Sequence, residues 1–285
     1  MTLAVRGVDY KVAVEGDPAR KRAVVLLHGF AGSAEDWRSV AALLQGAGFA
    51  TVAVDLVGHG GTSAPLDPSR YTMHETVLDL AAILDALSID RADWLGYSMG
   101  GRVALHFALA YPARVRSLIL ESASPGIAET SEREARRRSD ETLAARIEER
   151  GIGWFADHWA SLPIFETQAR LPAEVRASLH ARRLRNDAGG LARSLCGMGQ
   201  GAQEYAGGNL ARLMCPVLLI AGDLDAKYVQ IAHALHHSIP DSQCSVIPRA
   251  GHNVHLEAPE AFGKALVDHL NATETRTIPE ASSRS

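Results

Sequence analysis

The stretch Asp93–Arg102, DWLGYSMGGR, sets one serine among three glycines, with an apolar run before it and a helical pattern after it. Gly96-Tyr97-Ser98-Met99-Gly100 reads as G-x-S-x-G, the signature of a sharp strand-to-helix turn that lifts a serine hydroxyl above a sheet. Side chains at 96 and 100 would collide with neighbouring elements, so glycine stands there. The helix that follows points its free N–H groups at whatever reacts beside Ser98. A serine hydroxyl alone is weak, and the turn therefore asks for a histidine and an acid elsewhere in the chain.

The flanking sequence supports that reading. TLAVRG and YKVAVEG read as a short antiparallel pair. RAVVLLHGF, FATVAVDL, ADWLGYS and VRSLILES read as buried strands. They alternate with the helical runs DWRSVAALLQGAG, TMHETVLDLAAILDALS and MGGRVALHFALAYP. Strands alternating with helices predict an α/β fold, a mostly parallel sheet flanked by helices. From Pro125 to Arg212 the rhythm breaks into charged, helical segments, read as a helical lid. CPVLLIAGDLD, YVQIAHALHHSIP, SQCSVIP and APEAFGKALVDHLN restore the alternation. The expected organisation is a first core segment over 1–124, a lid over 125–212, a second core segment over 213–271, and a polar, disordered tail over 272–285.

Composition narrows the function classes. The chain has 285 residues, 47% hydrophobic and 22% charged, with a net charge of -4. That is ample for one large core and lacks the basic field of a nucleic-acid binder. No run approaches the ~20 apolar residues of a membrane span, and the N-terminus has no leader pattern, so a cytoplasmic protein without stable membrane association is expected. The three cysteines, Cys196, Cys215 and Cys244, form no C-x-x-C pair and read as reduced, structural thiols. No cofactor or metal motif is present. His255 has no ligand partner at metal spacing.

Among twelve histidines, His252 stands between the last strand and the last helix, in IPRAGHNVHLEAPEAF. It keeps the chain order Ser…acid…His. The acid should follow VLLIAG. Asp223 and Asp225 both qualify, and Asp225, further out, is the better placed to reach the His252 loop. Two backbone N–H groups should form an oxyanion hole, those of Met99 and Phe30. His28 and His59, in glycine-rich turns, are expected to line the same cleft. Arg102 sits in the first turn of a helix, where a cation opposes the dipole, so a bound anion or an acidic partner must offset it. It is four residues from Ser98, on the same helix face. The lid adds REARRRSD (Arg133, Arg136, Arg137, Arg138) and RRLRND (Arg182, Arg183, Arg185). Most such arginines face water. Two or three facing inward would grip a substrate with several carboxylates.

LLHGF, DLVGHGGTS, GYSMGGR, AGDLDAKY and GHNVHLEAPEAF, in this order, resemble the α/β-hydrolase superfamily over nearly the whole chain. One fold hosts many chemistries. ESASPGIAETSEREARRRSD, FADHWASLPIF and GLARSLCGMGQGAQ, in the variable lid, resemble more closely the 2-succinyl-6-hydroxy-2,4-cyclohexadiene-1-carboxylate synthases of menaquinone biosynthesis. That resemblance implies a lyase eliminating pyruvate from a small polycarboxylate, with no cofactor. Ser98, Asp225 and His252 would then act as a base, and Phe30 and Met99 would hold the oxyanion. It further implies Arg102, Arg136, Arg183, Tyr97 and Trp159 as substrate-binding residues. Arg182 and Arg185 compete with Arg183. A monomer or small homo-oligomer is expected. Two other readings stay open: a hydrolase of esters or of carbon–carbon bonds in vinylogous diketones, and a non-catalytic small-ligand receptor on the same fold.

Overall fold

The computed structural model describes residues 1–274. β1 (Thr2–Val5) and β2 (Val8–Glu15) form a hairpin whose two loop residues, Arg6 and Gly7, have φ of 47° and 82°. A turn with positive φ at both positions matches the natural twist of paired strands. β3 (Ala23–Leu27), α1 (Arg38–Gly46), β4 (Ala50–Val54), α2 (Met73–Ala86), β5 (Ala92–Tyr97), α3 (Met99–Ala110) and β6 (Val115–Glu121) follow. The lid holds α4 (Thr130–Ala160), α5 (Ala173–Arg183) and α6 (Ala188–Met198). β7 (Val217–Gly222), α7 (Ala226–Ser238), β8 (Ser242–Ile247), α8 (Val254–Glu257) and α9 (Pro259–Glu274) complete the described chain.

The eight strands form one sheet in the order β1-β2-β4-β3-β5-β6-β7-β8. β1–β2 and β2–β4 pair antiparallel; every other pair is parallel. A mostly parallel sheet in this order with helices on both faces is the α/β architecture expected from the sequence. The strands read as continuous apolar runs because both faces are covered. Along β3 the side chains alternate. Val25 and Leu27 join the core packed with Leu80 and Val103, while Val24 and Leu26 join the core packed with Trp37, Leu44 and Phe262. β4 lies on one side of β3 and β5 on the other, so the winding reverses there. The crevice beyond the strand ends at such a reversal is where open α/β sheets bind ligands. Ser98 and Phe30 both follow strands at that crevice.

The turn at Ser98 explains its glycines. A Cβ at Gly100 would lie 2.1 Å from the Leu27 carbonyl oxygen, and one at Gly96 would lie 2.3 Å from the Gly100 oxygen. Both obstacles are backbone and cannot swing aside. Gly100→Ala is therefore expected to destabilise the protein by more than ~3 kcal/mol, the scale of overpacking in a rigid core. Urea denaturation checks it: a midpoint equal to wild type would show that the β5–α3 turn has room.

One feature differs from the sequence expectations. The final helix runs through Glu274, three residues beyond Asn271. The Thr273 hydroxyl accepts a hydrogen bond from Arg22 (2.6 Å), whose guanidinium also grips both oxygens of Asp93 at the start of β5. That anchor holds the helix where composition suggested a tail. The rest of the expected tail, 275–285, lies outside the described residues. The basic lid segment folds as two helices. Asp187 breaks it by accepting from the Gly190 amide (2.6 Å) as the N-cap of α6. In the lid, α4 bends at Gly151 (φ 77°). Its apolar residues Ala144, Ile147 and Phe155 pack on Leu191, Ala192 and Leu195 of α6.

Candidate active site

Ser98 sits between β5 and α3 with φ 50° and ψ -107°. A residue with a Cβ holds that conformation at a cost of order 1–3 kcal/mol, which the surrounding backbone bears. The Ser98 amide donates to the Glu121 carbonyl (2.9 Å), and its carbonyl accepts from the Arg102 amide (3.1 Å). With the backbone so fixed, the hydroxyl lies 3.1 Å from Nε2 of His252, and Nδ1 of His252 lies 2.7 Å from Oδ2 of Asp225. A carboxylate only accepts, so Nδ1 carries the proton and Nε2 is free to accept from Ser98. Asp225 is also the N-cap of α7, where Oδ1 accepts from the Tyr228 amide (3.3 Å). The cap gives the carboxylate its orientation. Asp223 is exposed and its side chain makes no bond to the site.

The His252 loop is braced on both sides. Glu257 accepts from the Gly251 amide (2.8 Å) and the Asn253 amide (3.3 Å). Glu121, fully buried at the end of β6, accepts from the amide (2.9 Å) and the Nδ1 (2.7 Å) of His255, whose ring stacks on Trp37. The sequence reading named neither glutamate. Glu121 ends an apolar strand, and nothing within that strand signals a partner 134 residues away.

Above Ser98 a cavity of about 610 Å³ opens between core and lid, walled by Phe30, Tyr97, Met99, Arg102, Arg136, Arg146, Trp159, Lys227 and His252 among others. The amides of Phe30 and Met99 donate to no group of the described chain. Arg102 is buried and makes no ion pair among the described residues, the Asp140 carboxylate acting on it only at a distance. Nη1 donates to the Met198 carbonyl (2.7 Å) and to the Gln203 side-chain oxygen. Burial, and secondarily the nearby Arg136 charge, lower its pKa to about 10, which still leaves a cation at neutral pH. Arg136 pairs with Asp140 (2.7 Å) and reaches the cavity from α4. The sequence reading passed over Arg146 and Lys227, whose direction toward the cavity only packing sets.

The three arginines of RRLRND part company. Arg182 pairs with Asp36 (2.7 Å), and Arg185 pairs with Glu35. Arg183 makes no ion pair among the described residues. It lies over the Phe165 ring, 5.6 Å from its centroid, with its pKa lowered by burial. It faces a small recess of about 40 Å³ behind Tyr97, Trp159 and Phe165, not the main cavity. Arg137 and Arg138 are exposed.

His28 and His59 do not line the cleft, contrary to the sequence expectation. Both are buried beneath it. His28 Nε2 accepts from the Leu56 amide (3.0 Å), and the His59 ring meets the edge of Phe30. Burial, then the neighbouring His28, push the His59 pKa down to about 3, so it is a neutral packing group. Among the described residues no cluster of three or more His, Cys, Asp or Glu could hold a metal, and no helix is long and apolar enough to cross a membrane.

The α/beta hydrolase fold family model matches residues 22–259. A Klebsiella pneumoniae (strain MGH 78578) 2-succinyl-6-hydroxy-2,4-cyclohexadiene-1-carboxylate synthase is 34% identical over 87% of this chain and 93% of its own. A Bacillus subtilis (strain 168) protein, to which the same name is provisionally attached, is 41% identical over 93% of this chain and 96% of its own. The chain belongs to this synthase family of α/β-hydrolase fold. The solved structure of MenH from S. aureus superimposes with a TM-score of 0.86 at 31% identity, covering 93% of this chain and 98% of that one. The lid completes the site. Its α4 and α6 carry or position Arg136, Trp159 and the carbonyl that holds Arg102.

Proposed function

We propose that the chain eliminates pyruvate from 2-succinyl-5-enolpyruvyl-6-hydroxy-3-cyclohexene-1-carboxylate, giving 2-succinyl-6-hydroxy-2,4-cyclohexadiene-1-carboxylate in menaquinone biosynthesis. It does so as a carbon–oxygen lyase with Ser98, His252 and Asp225 as its base. The observation that carries the reading is the buried Arg102 guanidinium, in no ion pair among the described residues, one helical turn from a hydroxyl aligned on His252 and Asp225.

The chemistry follows from the two formulae. The ring hydrogen between the succinyl carbonyl and the ring alkene is the acidic one. Ser98, its proton passed to His252 Nε2, removes it. The electron pair moves into the ring and transiently onto the succinyl oxygen. The bond from ring carbon to enolpyruvyl oxygen breaks, leaving the conjugated diene. The departing enolate takes a proton back from the His252 imidazolium and becomes pyruvate. Asp225 holds the imidazole tautomer and the charge that forms on it. The Phe30 and Met99 amides face the developing oxyanion. Arg102 and Arg136 bind substrate carboxylates, Tyr97 and Trp159 supply the apolar walls, and Arg183 adds its charge from the recess behind that wall.

The decisive measurement is pyruvate release from enzymatically generated substrate, compared with its spontaneous elimination. Acceleration by the protein supports the reading. No acceleration, with turnover of neutral esters, would favour the hydrolase. Stoichiometric binding without turnover would favour the receptor. Because the reaction needs no Lewis acid, full activity is expected in excess chelator, and loss of activity restored by a divalent metal would contradict the proposed base.

A further inference from the structure

The loop that presents the Phe30 amide is strained. Ala31 has φ 63°, a left-handed conformation that costs any residue with a Cβ. Something must hold it. From the core side, Asp55 ties the neighbourhood together: Oδ1 accepts from the Ala34 amide (2.6 Å) and Oδ2 from the Gly61 amide (2.7 Å). From the lid side one residue reaches in. Asn186, buried between α5 and α6, donates from Nδ2 to the carbonyls of Ala31 (3.1 Å) and Arg183 (3.1 Å), and accepts at Oδ1 from the Gly60 amide (2.9 Å). Two carbonyls demand the NH2 end and an amide demands the oxygen, so the orientation is fixed by its partners. Among the described residues Asn186 is the one lid side chain hydrogen-bonded to the backbone of 28–32. The ion pairs Arg182–Asp36 and Arg185–Glu35 fasten the lid further along, on the turn after that loop.

We propose that Asn186 is a positioning residue for the oxyanion amide of Phe30: by holding the strained Ala31 carbonyl from the lid, it makes the geometry of the hole depend on the lid being seated. This rests on the reading that the Phe30 amide faces the developing oxyanion. The physical reason is reach. An oxyanion donor works only within 2.7–3.1 Å of the charge, and the Phe30 amide is one residue from the carbonyl that Asn186 holds. The same side chain bonds the Arg183 carbonyl, so the helix end bearing that arginine and the hole move as one unit. Asn186 does not line the cavity above Ser98. Its effect belongs in kcat, whereas a lid residue serving only binding would act on KM.

The test uses Asn186→Asp, which keeps the acceptor for Gly60 but turns an oxygen toward the Ala31 and Arg183 carbonyls, and Asn186→Ala as a second variant. Arg182→Gln, which loosens the lid without touching the loop, is the control. The expected result is a kcat at least about ten-fold lower in both Asn186 variants, with KM within about two-fold and kcat of Arg182→Gln near wild type; complete loss of one oxyanion donor sets the ceiling, at about 10²–10³. An unchanged kcat in a folded Asn186 variant, or a rise in KM alone, overturns the proposal. Amide hydrogen exchange gives a readout independent of turnover. Faster exchange of the Gly32 amide, which donates to the Gly29 carbonyl within the loop, is expected in both Asn186 variants, and of the Gly60 amide in Asn186→Ala; unchanged exchange at Gly32 overturns the proposal even if kcat falls. If wild type itself releases no pyruvate, the proposed reaction fails, and the exchange measurement still decides whether Asn186 holds the loop.

Discussion

Ser98→Ala is expected to lower kcat for pyruvate elimination by about 10³-fold, with His252→Ala equal in size. The hydroxyl lies 3.1 Å from Nε2 and the imidazole 2.7 Å from Asp225, so Ser98 and His252 share one proton transfer while Asp225 holds the imidazole for it. Removing either end disables the same event. The double variant should therefore be no worse than either single one, since residues that act as a unit are not additive. Alanine at 98 relieves little of the turn strain, because its Cβ remains, and the fold should persist. Steady-state pyruvate release with matched circular dichroism checks both statements. Activity within about ten-fold of wild type in either single variant would remove the pair from the chemistry and leave the cavity as a binding site only.

Arg102→Met is expected to raise KM and lower kcat/KM by about 30-fold, the equivalent of ~2 kcal/mol for a lost charged contact. The effect falls on KM because a carboxylate remote from the breaking bonds is held alike in ground and transition states. Stability should move the other way. Burial lowers the Arg102 pKa to about 10. A cation whose folded pKa lies below its unfolded one costs stability at every pH below the folded value, here on the order of 3 kcal/mol. Methionine removes that cost and leaves two acceptors, the Met198 carbonyl and the Gln203 oxygen, to find water in the cavity. Calorimetry at neutral pH should give a Tm equal to or above wild type. A fall of several degrees with KM unchanged would make Arg102 a strut between α3 and the lid and sink its role in binding.

Much of this was legible one element at a time. Gly96 and Gly100 announce the turn because their reason is local: a Cβ there meets backbone within a few residues or on the adjoining strand. The alternation of apolar strands and amphipathic helices announces the sheet because burial on both faces leaves no polar positions along a strand. The lid was harder. The seven arginines of REARRRSD and RRLRND look alike in sequence, yet Arg182 and Arg185 end on Asp36 and Glu35, Arg137 and Arg138 in solvent, and Arg183 against Phe165. Those fates depend on which side of a helix meets which distant loop, and no periodicity within the lid encodes the acids of residues 35–36. The glycine-rich turns misled for the related reason that closeness in sequence to the cleft is not exposure to it. His28 and His59 lie under the floor.

The sequence by itself determined the sheet, the serine turn, the loop that carries His252 and the family, because each is written in short-range pattern and chain order. Only the tertiary structure decided that Asp225 and not Asp223 meets His252, that Glu121 braces the His252 loop through His255, that Arg102 is buried in no ion pair among the described residues, and that Asn186 reaches from the lid to the Ala31 carbonyl. Each of these joins residues far apart in the chain. Their pairing is set by how packed layers bring distant backbone together, where burial makes an unpaired polar group expensive and so selects one partner among several that the sequence offers equally.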